Sequence, residues 1–394
     1  MNLGMSPLAN SYIKPEQLSR MEPFYPLHVY VCADCWLVQL EQFSTPHDIF
    51  SDYAYFSSFS DSWLAHAKAY VEMIATRFKL DQSSKVVEIA SNDGYLLQNF
   101  VTRGVPVLGV EPAANVAEAA REKGVNTKVA FFGEKTAVDL RAEGWSADLI
   151  IGNNVLAHVP DLNDFVKGLK VLLKPTGLVT MEFPHLLRLM EQNQFDTIYH
   201  EHFSYFSFLA VEQVFARQGM KLFDVEELPT HGGSLRIYAA HQHDDTKPVE
   251  ARAAELKARE ERGGFSKLDH YLSFGSHVAE TKRKLLSFLT TAKEQGKQVV
   301  GYGAPAKGNT LLNYCGIRAD FIDYTVDRSP HKQGLFLPGV HIPIYAPERI
   351  KQTRPDYVLI LPWNIREEVM QQMTFIREWG GRFVVPIPEV KVYS

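Results

Sequence analysis

Short apolar runs rich in β-branched residues recur along this chain, and helical patterns separate them. VVEIA (86–90), VLGVE (107–111), DLIIGN (148–153) and LVTMEF (178–183) form one series, spaced by stretches such as NVAEAAREKG and LNDFVKGLKVLL. QVVGYG (298–303), FIDYTVD (321–327), DYVLILP (356–362) and RFVVPIP (382–388) form a second. Strand and helix in alternation predict a parallel sheet with helices on both faces. Two series predict two doubly wound α/β domains. Residues 221–226 and 234–239 read as a closing pair of strands on the first. Residues 246–294 are helical and highly charged, as in KPVEARAAELKAREER, which predicts a solvated connecting helix.

At 394 residues the chain exceeds the roughly 250–300 that one core organises, so several domains are expected. The first 60 or so residues hold many prolines and aromatics and one Cys-x-x-Cys, which fits a small irregular, loop-rich module. A helical pattern starts near Trp63. The expected division is 1–62 for the N-terminal module, 63–240 for the first α/β domain, and 241–394 for a Rossmann-like C-terminal domain with its helical linker.

Hydrophobic residues at 45% and charged residues at 22% describe a globular chain, neither disordered nor fibrous. The net charge of −5 offers no basic excess for nucleic acid or an anionic membrane. No apolar run reaches the roughly 18 residues of a membrane span. No signal peptide is visible, and three cysteines build no disulfide framework. A reducing, cytoplasmic setting is expected.

In VVEIASNDGYLLQNF the first strand ends at Glu88, and a turn of small residues leads through Gly94 into a helix. Glu111 ends the next strand. Open parallel sheets bind ligands beyond the carboxyl ends of their strands, and an acid ending the second strand can accept both ribose hydroxyls. A pyrophosphate would want a further glycine at the helix start. This turn carries Ser91, Asn92 and Asp93 instead, with no basic residue. Such a site suits adenosine bearing a sulfonium, which favours S-adenosylmethionine over NAD. The plainer reading has Glu88 and Glu111 capping strand ends. Asn153 and Asn154 end a later strand, where side-chain amides can serve the same cofactor.

DTIYHEHFSYFSF (196–208) gathers two histidines, a carboxylate and several aromatics. Three readings stand: half a metal site, a general base near neutral pH, or core aromatics with surface histidines. His158, just after the strand that ends at Asn153, falls on the ligand edge of the sheet. The alternative is a helix cap.

GYGAPA (301–306) satisfies G-x-G-x-x-G/A after a strand, and Asp327 ends the next strand. An NAD(P)-dependent oxidoreductase is therefore the rival reading. Pro305 removes a backbone donor that a pyrophosphate would want. Lys307 at the helix start can meet phosphate charge. A Rossmann-like fold without a ligand of its own is a further reading, and a non-catalytic scaffold another. His231-Gly232-Gly233 reads first as a hairpin turn and secondly as backbone bordering a site.

The chain resembles the sugar C-methyltransferase family, which methylates carbon on nucleotide-linked keto-deoxysugars. LGMSPLANSYI, EIASNDGYLL, GNNVLAHVPDL, YHEHFSYFS, GGSLRIY, GYGAPAKGNTLLNYCG and LPGVHIPI carry the resemblance, in the family's order, over nearly the whole chain. It implies a zinc-binding module, a central class I methyltransferase-like domain and a C-terminal domain that helps to hold the nucleotide sugar. By resemblance His202 is the base that takes a proton beside the ketone, leaving an enolate, with Tyr199, Glu201, His158 and Tyr53 in the same site. Glu88, Ala90, Asn92, Gly94, Tyr95, Leu96, Glu111, Pro112, Asn153 and Asn154 are the cofactor candidates; His200, Lys307 and Asn309 are the substrate candidates. The expected substrate is a nucleoside-diphosphate, dTDP, keto-sugar; a non-sugar ketone is the alternative. The expected state is a monomer or weak oligomer. Cys32 and Cys35 make one zinc knuckle. The family's other Cys-x-x-Cys, upstream of LG-x-x-PLAN, is absent from this sequence, which leaves structural zinc in doubt.

Overall fold

A computed structural model describes residues 1–43, 45 and 57–394, apart from the side chain of Phe59. The N-terminal strands are β1 (Asn2–Ser6), β2 (Tyr25–Val31) and β3 (Val38–Leu40). The central strands are β4 (Val86–Ile89), β5 (Val107–Glu111), β6 (Thr127–Val129), β7 (Ala147–Asn153) and β8 (Leu173–Pro184). A short β9 (Ser204–Tyr205) precedes β10 (Met220–Leu228) and β11 (Ser234–His241). Last come β12 (Val299–Tyr302), β13 (Thr325–Val326), β14 (Ile344–Tyr345), β15 (Tyr357–Ile360), β16 (Arg382–Val385) and β17 (Lys391–Tyr393).

The central sheet runs β10-β11-β8-β7-β4-β5-β6. β4 to β8 lie parallel; β11 is antiparallel to both β8 and β10. Every residue of β4 and β5 is buried. That is why these strands read as continuous apolar runs: helices cover both faces, so neither face needs polar residues. The helix Leu162–Leu172 shows the matching signal. Leu162, Phe165, Val166, Leu169 and Leu172 bury one stripe, and the Asp161 carboxylate caps the Asp164 N–H. Each such side chain contributes about 1.5–3 kcal/mol on burial. Strand order reverses at β4, which has β5 on one side and β7 on the other, so a crevice opens at their carboxyl ends.

The C-terminal sheet runs β14-β13-β12-β15-β16-β17, parallel except for β17. The charged stretch before it departs from the expected solvated connector. It forms two helices, Ala251–Gly263 and Leu268–Glu294, broken at Gly264 in the left-handed region. Tyr271, Phe274, Val278, Leu285, Leu289 and Ala292 on the second are buried in the core of the C-terminal sheet. Charge count hid a stripe with helical spacing. On the first helix Glu260 is wholly buried. Its carboxylate accepts from the Phe208 and Leu209 N–H groups at 2.8 and 2.9 Å and pairs with His185 at 2.7 Å, so it caps the helix Phe208–Arg217 from outside.

The N-terminal strands build a four-stranded antiparallel sheet, β1-β2-β3-β9. Its last member comes from the central region: Val38 pairs with Tyr205 and Gln39 with Ser204. The Leu40 N–H also donates to the Phe203 carbonyl. The N-terminal module therefore grips the chain immediately after Tyr199–His202.

Candidate active site

The turn after β4 places Ala90, Asn92 and Gly94 at positive φ within five residues. Glycine is required at 94 for a second reason: a Cβ there would meet Val125 Cγ2 at 2.9 Å. Glu111, at the end of β5, pins the turn. Its Oε2 accepts from the Asn92 N–H at 3.0 Å and its Oε1 from the Ala113 N–H at 2.9 Å. Burial raises this carboxyl and the two N–H donors oppose the shift. Glu88 is wholly buried nearby, and burial pushes its carboxyl well above the usual range.

One cleft of about 840 Å³ runs from this turn to the histidine segment. Ala90, Asn92, Tyr95, Glu111, Pro112, Asn153 and Asn154 line one end, with Phe131 and Phe132 as apolar walls. His158, Tyr199, Glu201 and His202 line the other. Trp63 stands between them, stacked on Tyr95 with ring centroids 5.9 Å apart. Tyr53 lies outside the described residues.

Five sequence candidates are placed elsewhere than the cleft wall, Glu88 among them, wholly buried within β4. Gly94 and Leu96 shape the turn and the core behind it. His200 turns away from its neighbours toward β2, donating to the Pro26 carbonyl at 3.2 Å between Tyr25 and Phe43. In YHEH the flanking Tyr199 and Glu201 take the cleft. Asn309 is buried within its helix, where Asn313 donates to it at 2.9 and 3.2 Å.

Backbone carbonyls fix both cleft imidazoles. His158 Nδ1–H donates to the Glu201 carbonyl at 2.7 Å and His202 Nδ1–H to the Thr197 carbonyl at 2.9 Å. In the neutral ring, a donor at Nδ1 leaves the lone pair on Nε2. Burial holds His158 down to about 4 and His202 well below its ordinary value; the neighbouring His158, His231 and Lys307 add to the latter. Glu201 accepts from Asn10 Nδ2 at 2.7 Å, and burial raises its carboxyl.

Several cleft residues escaped the sequence reading. Asn10 and Lys332 enter from distant segments; Asn10 sits in the PLAN motif, the one signal that pointed there. His231, before Gly232-Gly233, borders the cleft and meets Asn154 Nδ2 at 3.1 Å, which answers the question left at that turn. Lys307 reaches the cleft as expected. Its ammonium lies 4.6 Å over the Trp363 ring and donates to Asn364 Oδ1 at 2.7 Å; burial lowers it to about 8.

The second glycine turn spends its polar groups internally. Asp327 Oδ2 accepts from the Ala304 N–H at 2.7 Å, and Thr325 donates to the Gly303 carbonyl at 2.7 Å. The acid that a dinucleotide reading reserves for ribose, Asp327, is not among the described residues that line the cleft, whereas Glu111 is. Pro305, Ala306 and Lys307 face the same cleft as the first turn.

The donor set at the first turn fits S-adenosylmethionine: a buried carboxylate ending the second strand, a backbone held open by positive φ, and apolar walls. Zinc fares otherwise. Among the described residues no group of three or more His, Cys, Asp or Glu is placed to hold a metal. Cys35 is buried, Cys32 half-buried, and the nearby His28 stacks on Tyr30 at 4.5 Å.

Family models match three stretches: "Putative zinc binding domain" over 1–50, "Methyltransferase domain" over 63–225, and "C-methyltransferase C-terminal domain" over 229–388. C-methyltransferase NovU of Streptomyces niveus is 36% identical over 394 residues, 100% of this chain and 94% of that protein. A ubiquinone biosynthesis O-methyltransferase of Bartonella tribocorum is 29% identical over 120 residues, 28% of this chain and 49% of that protein. Among solved structures, magnesium protoporphyrin IX methyltransferase of Synechocystis PCC 6803 with bound S-adenosylmethionine matches at 13% identity and a TM-score of 0.35, covering 45% of this chain and 79% of that one.

The central sheet and its turn define an S-adenosylmethionine-dependent methyltransferase of the class I fold. Full-length similarity then fixes the branch: the chain belongs to the C-methyltransferase family.

Proposed function

We propose that this enzyme methylates the carbon next to the ketone of a nucleoside-diphosphate deoxysugar, a dTDP sugar, through an enolate. One observation carries the reading: a single cleft joins the Glu111 turn to two neutral, carbonyl-tethered histidines and two lysines.

Bound at the turn, S-adenosylmethionine supplies an electrophilic methyl group. The protein's own residues prepare the carbon that receives it. Glu111 accepts the ribose hydroxyls. His202 Nε2 takes the proton beside the ketone, and Thr197 accepts from the imidazolium that forms. Tyr199 and Glu201, whose carboxyl burial raises above its ordinary value, serve the developing oxyanion. Lys307 and Lys332 receive the diphosphate. His158 stands beside His202 near the ketone. The enzyme acts as a monomer or weak oligomer in the cytoplasm; among the described residues no helix is long and apolar enough to cross a membrane.

Purified protein incubated with S-adenosylmethionine and dTDP-keto-deoxysugars tests this by mass spectrometry. A sugar nucleotide gaining one methyl group on carbon supports it. Methylation of a non-sugar ketone alone would move the substrate class. Calorimetric binding of NAD or NADP, with none of S-adenosylhomocysteine, would overturn the cofactor.

A further inference from the structure

We propose that Trp363, reaching from the C-terminal domain, and Asp196, which it holds, are positioning residues for His202 that set the tautomer of the base. The inference rests on the reading of His202 given above.

Thr197, whose carbonyl receives the His202 Nδ1–H, belongs to a single helical turn, Phe195–Thr197. Two groups of the C-terminal domain hold that turn. Trp363 Nε1–H, just beyond β15, donates to Asp196 Oδ2 at 2.7 Å in a wholly buried contact. Thr310 Oγ1 donates to the Ile198 carbonyl at 3.1 Å. The residues on either side of Thr197 are therefore both anchored across the domain join. The same Trp363 ring lies under the Lys307 ammonium.

A buried carboxyl that loses its donor must find another or reorganise, because leaving it unpaired is costly. Reorganising Asp196 moves the peptide that presents the Thr197 carbonyl. Without that acceptor the imidazole is free to carry its proton on Nε2, which removes the lone pair from the cleft. A base in the wrong tautomer is present but inactive.

Trp363→Phe keeps an aromatic ring near Lys307 and removes the N–H donor together with the pyrrole part of the indole. Its kcat should fall by about tenfold or more, with KM and S-adenosylhomocysteine affinity within about twofold. Asp196→Ala, which breaks the same bond from the other side, should do likewise. Asp196→Asn retains an acceptor and should lose less than either. Nitrogen-15 spectra of labelled histidine give a readout independent of turnover: His202 should be the Nδ1–H tautomer in the parent protein and a mixture in Trp363→Phe. Parent kcat together with the parent tautomer in Trp363→Phe would overturn the proposal. Full activity in His202→Ala would instead sink the assignment of the base, while the tautomer shift would still report on the clamp. If Trp363→Phe fails to fold, the two Asp196 variants decide by the same measurements.

Discussion

The imidazoles of His158 and His202 stand 4.7 Å apart, centroid to centroid, with their planes at 66°. Each is tied at Nδ1 to a backbone carbonyl, and both are desolvated. Two such rings cannot both be charged at that distance without mutual repulsion. The arrangement keeps a lone pair available on His202 through neutral pH.

Removing the base should separate chemistry from binding. His202→Ala should lower kcat by about 10²–10⁴-fold. Its affinity for S-adenosylhomocysteine, measured by calorimetry, should stay near that of the parent protein.

Glu111 both pins the turn and lines the cleft, where the proposed function has it accept the ribose hydroxyls. Glu111→Ala should weaken S-adenosylhomocysteine binding at least about tenfold, the scale of a lost charged hydrogen bond. Glu111→Gln, which keeps one acceptor, should lose less. Unchanged affinity in the alanine variant would remove Glu111 from the cofactor site.

Lys307 gives a pH signature in the alkaline range. Its folded value is lowered to about 8 by burial, so it is charged well below that value and loses its charge as pH rises through it. For an anionic substrate, kcat/KM should fall above about pH 8, reporting the free enzyme. Lys307→Arg keeps its charge and should flatten that limb.

Glu260 predicts a purely structural effect. Glu260→Ala strands the Phe208 and Leu209 N–H groups and His185 together. Chemical denaturation should show a loss of about 3–5 kcal/mol, as for a buried pair broken from one side. S-adenosylhomocysteine affinity, measured where the variant is folded, should be unaffected.

Much of this was legible from local pattern. β4, β5 and β7 stand where apolar runs placed them, because strands buried on both faces leave continuous hydrophobic stretches. The long helix before β12 reads as solvated because its surface charges outnumber a thin buried stripe. Within the site, Glu111 and His158 followed from the ends of strands. Asn10 and Lys332 did not, since residues hundreds of positions apart meet only through the tertiary fold. His200 and Asn309 sit beside true cleft residues in sequence, yet one points to the N-terminal module and the other into its own helix. Sequence adjacency carries no side-chain direction. The strand β9, two residues long, escapes any periodicity argument, although it ties the chain after His202 to the N-terminal module.

The most direct test of the enolate step is deuterium uptake. A dTDP-keto-deoxysugar would be incubated in deuterium oxide with the enzyme and S-adenosylhomocysteine, so that no methyl group can be transferred. The expected result is deuterium at the carbon next to the ketone with the parent protein, and only background exchange with His202→Ala. Equal exchange by the two proteins would contradict the assignment of His202 as the base.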